Sequence, residues 1–265
     1  MAATQQQKGE ALKALHEGEP FLIPNPWDAG TAKLLAGLGF KALATTSAGL
    51  CFRLGRTNKL LTLDEVTAHI TELDQATDLP VSADLENGYG PAPKDAARAI
   101  TEAAAAGAVG GSIEDWDPDG HIYDFDQAIE RVAAAAEAAR ALDFPFMLVG
   151  RCENHYRLGE PAIDDTIKRL QAYEQAGADV LYAPGIRKVD EIKTICEAVS
   201  KPVNVFSIGL KASEIFEAGA QRISTAGGLT FAAANAVIEA AERIRDEGDF
   251  SGLGLPNRVA ELGGY

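Results

Sequence analysis

The residues able to do chemistry gather in a few short stretches. Asp84 and Glu86 fall in Ser82-Ala83-Asp84-Leu85-Glu86, and Glu114 and Asp115 close Ser112-Ile113-Glu114-Asp115. If two neighbouring strand ends bring these acids together, they repel unless a cation or a proton intervenes. A hard divalent ion meets that need, because Mg2+ takes oxygen ligands, often one or two carboxylates, and keeps several waters. Asp84, Glu86 and Glu114 are therefore candidate metal ligands. Any one of them alone serves equally as a solvated loop charge or a helix cap, and Asp115 reads as a turn or cap residue.

Other candidates complement the acids. Arg151 carries a planar guanidinium suited to bidentate binding of a substrate carboxylate; an ion pair with Glu153 is the structural alternative. Ser47-Ala48-Gly49 are small residues whose backbone N–H groups and hydroxyl can face an anion. Thr225-Ala226-Gly227-Gly228 opens the last helix, a place that holds phosphate in many barrels, although it reads first as a helix-start turn. Asn25, Trp27, Tyr182, Asn204 and Ser207 are further strand-end side chains. His16 and His69 fall in predicted helices and look structural, and His155 reads as a loop residue. His121, just beyond Glu114, is the histidine considered for proton transfer, with an exposed loop histidine as the plainer reading.

Positioning these groups requires elements that deliver strand ends to one face. Short apolar runs at 21–24, 41–45, 81–84, 109–114, 146–150, 179–183, 203–206 and 222–224 alternate with helical patterns at 28–36, 63–76, 94–106, 126–141, 163–176, 189–199, 212–218 and 229–246. Eight such units suit a (β/α)8 TIM barrel, whose usual size is about 250 residues and whose active site lies at the C-terminal strand ends. Continuous apolar runs fit a parallel sheet buried on both faces. An extra N-terminal helix at 7–16 would cover the barrel bottom. Gly39, Gly107, Gly177 and Gly219 precede alternate strands, where a helix end favours a left-handed residue. Pro80, Pro145 and Pro202 enter three of the others, and the alternation reads as a duplicated βαβα unit. No long linker interrupts 1–265, so one domain is expected, with the barrel over about 20–246 and a loop-like tail at 247–265.

Composition narrows the function. Lys and Arg number 24 against 39 Asp and Glu, a net charge of −15, so the footprint of a nucleic-acid or anionic-membrane binder is missing. An anionic small substrate remains compatible, because charge within a cleft need not follow net charge. No apolar run approaches the roughly 20 residues of a membrane span, and the polar N-terminus lacks the apolar stretch of a signal peptide. Three cysteines without metal-type spacing suit a reducing cytoplasm.

Over about residues 20–245 the sequence resembles the isocitrate lyase/phosphoenolpyruvate mutase superfamily. The most specific stretch, Asp84-Leu85-Glu86-Asn87-Gly88-Tyr89-Gly90, is similar to the family's D-x-[DE]-x-G-[YF]-G loop. Asn25-Pro26-Trp27-Asp28-Ala29, Thr46-Ser47-Ala48-Gly49-Leu50, Ser112-Ile113-Glu114-Asp115 and Gly150-Arg151-Cys152-Glu153-Asn154 add matches in order. The resemblance implies Mg2+, or Mn2+ in its place, on Asp84 directly and on Glu86 and Glu114 through water. It implies that Ser47 and the backbone of Ala48 and Gly49 cradle a substrate carboxylate paired with Arg151, with Trp27 and Asn204 adding contacts. Arg151 and Glu114 are then the catalytic candidates, joined by His121 on the strength of its position beyond Glu114 alone. Family members bind a 2-oxo acid or its enolate and break or form a C–C or P–C bond beside it; the metal neutralises the charge that develops.

Two departures matter. Where isocitrate and methylisocitrate lyases carry K-[KR]-C-G-H, this chain has Trp116-Asp117-Pro118-Asp119-Gly120-His121, without Cys or Lys. The phosphonate enzymes' Lys-bearing gating loop is missing too. In the loop after the second strand, Asn58 stands where an Asp is frequent. The expectation is a Mg2+-dependent lyase acting on a small 2-oxo or 2-hydroxy acid, oxaloacetate-like or 2-methylmalate-like, by C–C cleavage or decarboxylation. A phosphonopyruvate-type mutase or hydrolase and a non-catalytic 2-oxo acid binder are the alternatives. The family commonly exchanges its last helix between subunits, so a homo-oligomer is expected through 229–246.

Overall fold

A computed structural model describes residues 2–56, 60–159, 163–206, 209–255 and 257–263; Asn58 and Ser207 lie outside them. Eight parallel strands form the core: β1 (Phe21–Ile23), β2 (Leu43–Ala44), β3 (Val81–Asp84), β4 (Gly110–Glu114), β5 (Met147–Arg151), β6 (Val180–Tyr182), β7 (Val203–Val205) and β8 (Arg222–Ser224). Their hydrogen-bonded order is β1-β8-β7-β6-β5-β4-β3-β2. Phe21 pairs with Arg222 across β1 and β8, and Ala44 N donates to Pro24 O at 3.0 Å between the two end strands. The sheet thus curls into a nearly closed (β/α)8 barrel with helices between the strands. Every residue of β4 is buried, as a parallel strand covered on both sides requires.

Local chemistry sets the helix starts. The Asp28 carboxylate accepts from Thr31 N at 2.7 Å and caps Ala29–Gly37. Thr62 and Glu65 form a reciprocal box at the start of Leu63–Ala76, satisfying two otherwise orphaned donors. Helix Gln5–Glu17 closes the barrel bottom and sends Leu12 into an interior cluster with Phe21, Ile23, Val109, Met147 and Val180. Gly110 makes room for it, because a side chain there would begin 3.0 Å from Leu12 Cδ2.

Several elements depart from the sequence reading. Short helices Ser47–Arg53 and Asn154–Leu158 follow β2 and β5 directly. The segment after Glu114 is a two-stranded antiparallel ribbon, Trp116–Asp117 against His121–Ile122. Its turn uses ordinary chemistry: Asp119 N reaches Asp117 Oδ1 at 2.8 Å, and Gly120 takes φ +104. The tail is not all loop, because Asn257–Gly263 is helical and lies so close to Gly37 that a side chain there would strike the Leu262 carbonyl.

Helix Gly228–Glu247 is the least embedded element: Thr230 is its one buried residue, and Val237 is 68% and Ile238 53% exposed. Leu22, on the outer face of β1, is 41% exposed although its strand neighbours are buried.

His69, buried in Leu63–Ala76, has no hydrogen-bond partner for either ring nitrogen among the described residues. Burial pushes its pKa down to about 4, with the Glu72 charge opposing. The unfolded chain therefore binds a proton near pH 6.5 that the folded chain refuses until about pH 4. Stability is expected to fall as pH drops through that window. His69→Leu should flatten this acid limb by up to about 1.4 kcal/mol per pH unit, measured by urea unfolding at pH 7.0, 5.5 and 4.5.

Candidate active site

The ends of β3, β4 and β5 bring the acids and guanidiniums together. Asp84 N donates to Thr45 Oγ1 at 2.7 Å, and Asp84 Oδ2 accepts from Ser47 N at 3.0 Å. Arg151 Nη1 lies 3.3 Å from Asp84 Oδ1 and 3.1 Å from Glu114 Oε2, while its Nε donates to Glu153 Oε1 at 2.6 Å. Arg157, on the short helix after β5, reaches Glu153 Oε2 at 2.7 Å and Glu114 Oε1 at 3.6 Å. These contacts join three carboxylates to two guanidiniums, an excess of one negative charge before Glu86 is counted.

Burial decides how that excess is carried. Glu153 is fully buried and Glu114 is 5% exposed. Burial pushes the Glu114 carboxyl well above the usual carboxylate range; Arg151 opposes, while Glu153, Asp84 and Glu86 add to the rise. Burial also works against the Arg151 charge, but Glu114, Glu153 and Asp84 outweigh it and hold the guanidinium protonated. A proton on Glu114 can thus stand in for a missing positive charge.

The loop after β3 is strained and clamped. Glu86 and Tyr89 adopt φ +48 and +62, a left-handed conformation unusual for non-glycine residues. Gly88 at φ +81 must be small, since a side chain there would begin 2.8 Å from Ala96 Cα. Arg131, almost wholly buried, donates to the carbonyls of Gly90 (2.7 Å) and Asn87, and Asn87 Nδ2 reaches Tyr123 Oη at 2.9 Å. The Tyr89 hydroxyl is buried without a hydrogen-bond partner among the described residues.

Members of this cluster line two cavities. The inner one, about 460 Å³, is lined by Ser47, Ala48, Asp84, Arg151, Tyr182 and Asn204 among others. The outer one, about 920 Å³, is lined by Glu86, Tyr89, Glu114, Trp116 and Arg157 among others. Asp84 therefore faces one cavity while Glu86 and Glu114 face the other. Among the described residues, no three His, Cys, Asp or Glu side chains already enclose a common metal position. The donor set nevertheless fits a hard divalent cation: carboxylate oxygens at adjoining strand ends, with negative charge in excess of the guanidiniums that touch them.

The remaining candidates are placed unevenly. Of the two backbone donors expected at Ala48 and Gly49, Gly49 N donates to Thr46 Oγ1 at 3.3 Å, while the neighbouring Ser47 N is taken by Asp84. Trp27 and His121 line neither cavity. His121 sits exposed at the ribbon end with its ring edge-on to Tyr123. Asn204 is buried, its amide nitrogen 3.0 Å from Ser224 Oγ and its oxygen accepting from Arg222 Nε at 2.8 Å. Asp115 is no turn residue: it is a buried anchor that accepts from Glu153 N (2.7 Å) and Tyr173 Oη (2.6 Å), with Arg169 Nη1 at 3.3 Å. Arg157 escaped the sequence reading, although its place four residues after Glu153 is the spacing of a helical ion pair. Arg222 was also missed, and its signal is a charge at the first position of a buried strand.

A strand-end acid cluster between two cavities, on a (β/α)8 barrel, defines a family of enzymes with the site at the top of the barrel. The phosphoenolpyruvate phosphomutase family model matches residues 12–245, and the chain belongs to that family. A crystal structure from Burkholderia cenocepacia J2315, whose lyase/mutase assignment is provisional, superposes with a TM-score of 0.92 at 50% identity, covering 96% of this chain and 94% of that one. Oxaloacetate acetylhydrolase with bound oxalate superposes with a TM-score of 0.86 at 26% identity, covering 97% and 94%. The oxaloacetate decarboxylase of Rhodopseudomonas palustris is 28% identical over 249 residues, 89% of this chain and 84% of its own.

Replacing Arg157 by Met removes one of the two guanidiniums while leaving the acids buried. A loss of about 3 kcal/mol is expected, the low end for stranding a buried charge because Arg157 is partly exposed. Millimolar Mg2+ should recover more stability in the variant than in the wild type, measured by thermal unfolding with and without EDTA.

Proposed function

We propose that this protein is a divalent-metal-dependent lyase that decarboxylates or cleaves a C–C bond of a small 2-oxo or 2-hydroxy acid. One observation carries the reading: buried carboxylates exceed the guanidiniums they touch, in a cluster whose members line two cavities. The similarity to oxaloacetate decarboxylase and oxaloacetate acetylhydrolase supports carbon–carbon rather than phosphorus–carbon chemistry. The stretch Trp116-Asp117-Pro118-Asp119-Gly120-His121 also supplies no lysine for phosphonate gating.

Asp84, Glu86 and Glu114 would hold the cation, Mg2+ or Mn2+, which supplies Lewis-acid neutralisation of charge developing on a substrate oxygen. The chain's own groups do the rest. Arg151, kept charged by three acids, presents its guanidinium to a substrate carboxylate in the inner cavity. Ser47 and Ala48 border the same space, and Gly49 fixes their turn. Trp27 backs that turn, since a side chain on Gly49 would begin 3.0 Å from Trp27 Cβ. In decarboxylation of a 2-oxo acid CO2 leaves and the electron pair stays on the carbon next to the carbonyl as an enolate. In cleavage of a 2-hydroxy acid the hydroxyl gives up its proton to become the new carbonyl, and the pair stays on the α carbon of the departing acid. Either carbon must then take a proton. Glu114, beside Arg151 and on the wall of the outer cavity, is the group assigned to relay that proton through water. His121 would take part only if the Trp116–Ile122 ribbon swings inward over the outer cavity. Asn204 acts through the side chains it tethers.

This reading takes residues 1–265 as one catalytic domain. No helix among the described residues is long and apolar enough to cross a membrane. Among the described residues no disulfide joins Cys51, Cys152 or Cys196, which suits the cytoplasm. The exposed apolar side of Gly228–Glu247, together with the uncovered Leu22 of β1, favours a homo-oligomer in which this helix is exchanged between subunits.

With Mg2+, oxaloacetate or a 2-methylmalate-like acid is expected to yield a keto acid, EDTA should abolish turnover, and Asp84→Asn should reduce kcat at least 100-fold. A broad panel of 2-oxo and 2-hydroxy acids giving no turnover at saturating Mg2+ would sink the lyase reading. Mg2+-dependent binding without turnover would instead mark a binding protein, and a phosphorus NMR signal from P–C cleavage would mark a phosphonate enzyme. Sedimentation at micromolar concentration is expected to give a dimer or larger, whereas a clean monomer would refute the exchanged helix.

A further inference from the structure

The inner cavity has an unusual lower end. Arg222 opens β8 at the barrel bottom and is only 4% exposed, yet it is among the residues lining this cavity. Its Nε donates to Asn204 Oδ1 at 2.8 Å, and its Nη1 stands 3.4 Å from His16 Nε2 on the bottom helix. Among the described residues no carboxylate lies within ion-pair distance of it, and Tyr182 is the one group that favours its charge. His16 cannot supply the missing negative charge. Burial, then Arg222 itself, pushes its pKa down to about 3, so it faces Arg222 as a neutral ring.

A lone guanidinium so deep in a barrel is costly, because a buried charge is normally paired. Burial lowers even its own pKa, to about 10, with only Tyr182 opposing. The neighbouring side chains do not bury it in hydrocarbon. Ser82, Ser112, Ser224 and Tyr182 line the same space; Ser224 and Tyr182 are hydrogen-bonded to each other, and the Ser82 and Ser112 hydroxyls can donate to a ligand. Asn204 is held by Ser224 on one side and holds Arg222 on the other, which fixes the guanidinium in place. Asp84, near the rim, is the one acid among the described residues lining this cavity, against Arg151, Arg187 and Arg222.

We propose that Arg222 and the hydroxyls around it form an anion subsite at the floor of the inner cavity that takes one carboxylate-sized monoanion. Two sources share that chemistry: the second carboxylate of a dicarboxylic substrate whose reacting end lies at Arg151, or a free small anion such as formate or chloride. The first source rests on the lyase reading above; the second does not. In either case the anion completes the charge balance that the fold leaves open, and Asn204 is a positioning residue for Arg222.

The test measures binding, so it does not depend on turnover. Wild-type protein and Arg222→Met are titrated calorimetrically in Mg2+ with malate, a dicarboxylate, and with pyruvate, a monocarboxylate. Both are also melted across a formate series at constant ionic strength. If the site takes the substrate's second carboxylate, the variant loses at least tenfold in malate affinity and less than twofold for pyruvate. If it takes a free anion, formate raises the wild-type melting temperature, the variant loses that response, and the malate-to-pyruvate ratio stays unchanged. A variant that matches the wild type in all three measurements overturns the proposal. Should Arg222→Met fail to fold, wild-type protein that shows neither a formate response nor a preference for malate over pyruvate overturns it equally. Arg222-dependent binding in a protein that turns over nothing would leave the subsite standing and remove only the lyase reading.

Discussion

Glu153 is the hinge of the site's electrostatics. It is fully buried, yet both its oxygens are met by guanidiniums, Arg151 at 2.6 Å and Arg157 at 2.7 Å. Each arginine then extends its other nitrogens to Glu114, and Arg151 also reaches Asp84. Without Glu153 the two cations would repel each other at the mouth of the barrel. With it, their remaining charge is directed at the acids where a metal would sit. The cluster is held short of neutrality, a proton or cation must finish it, and Glu114 is the group whose burial makes it change partners most readily.

The same logic reconciles a very acidic chain with an anionic ligand. Net charge describes the surface, where most of the 39 acids are solvated. Inside the barrel the ledger reverses, and the inner cavity is bordered by three arginines and one aspartate. Low-dielectric walls make those few charges count for more than the many outside. An anion entering from the rim therefore moves toward positive charge, despite a protein that repels it at long range.

How much of this was legible in the sequence depends on what kind of signal each part carries. Helix Leu63–Ala76 and strands Val81–Asp84 and Arg222–Ser224 match their predicted bounds, because a capping box or a bounded apolar run marks their ends. Helices Ser47–Arg53 and Asn154–Leu158 were invisible, since seven or five residues hold no more than two turns of periodicity. The rim acids, Arg151 and Ser47 were readable as residue types at strand ends, and the resemblance ordered them. What could not be read was which partner each would choose. Asp115, expected in a turn, pairs instead with Tyr173 and Arg169, more than fifty residues away, and Asn204 is engaged by Arg222 and Ser224 on the next strand. Such contacts depend on barrel closure, which no local pattern encodes.

The strained loop shows how the fold sustains the site. Two non-glycine residues in left-handed conformation, Glu86 and Tyr89, each cost on the order of 1–3 kcal/mol and persist only if their surroundings over-determine them. Here they do. Arg131 comes up from the helix Phe125–Arg140, packs its guanidinium 4.3 Å from the centre of the Tyr123 ring, and ties two loop carbonyls. Gly88 lets the loop press against Ala96, and Glu114 N donates to Glu86 O at 2.9 Å, extending the β3–β4 ladder past the last strand residue. A relaxed loop would let Glu86 turn toward solvent and would let the Tyr89 hydroxyl find water. The clamp instead holds one carboxylate and one unsatisfied donor at the rim before any ligand arrives, so little of a ligand's binding energy is spent ordering them.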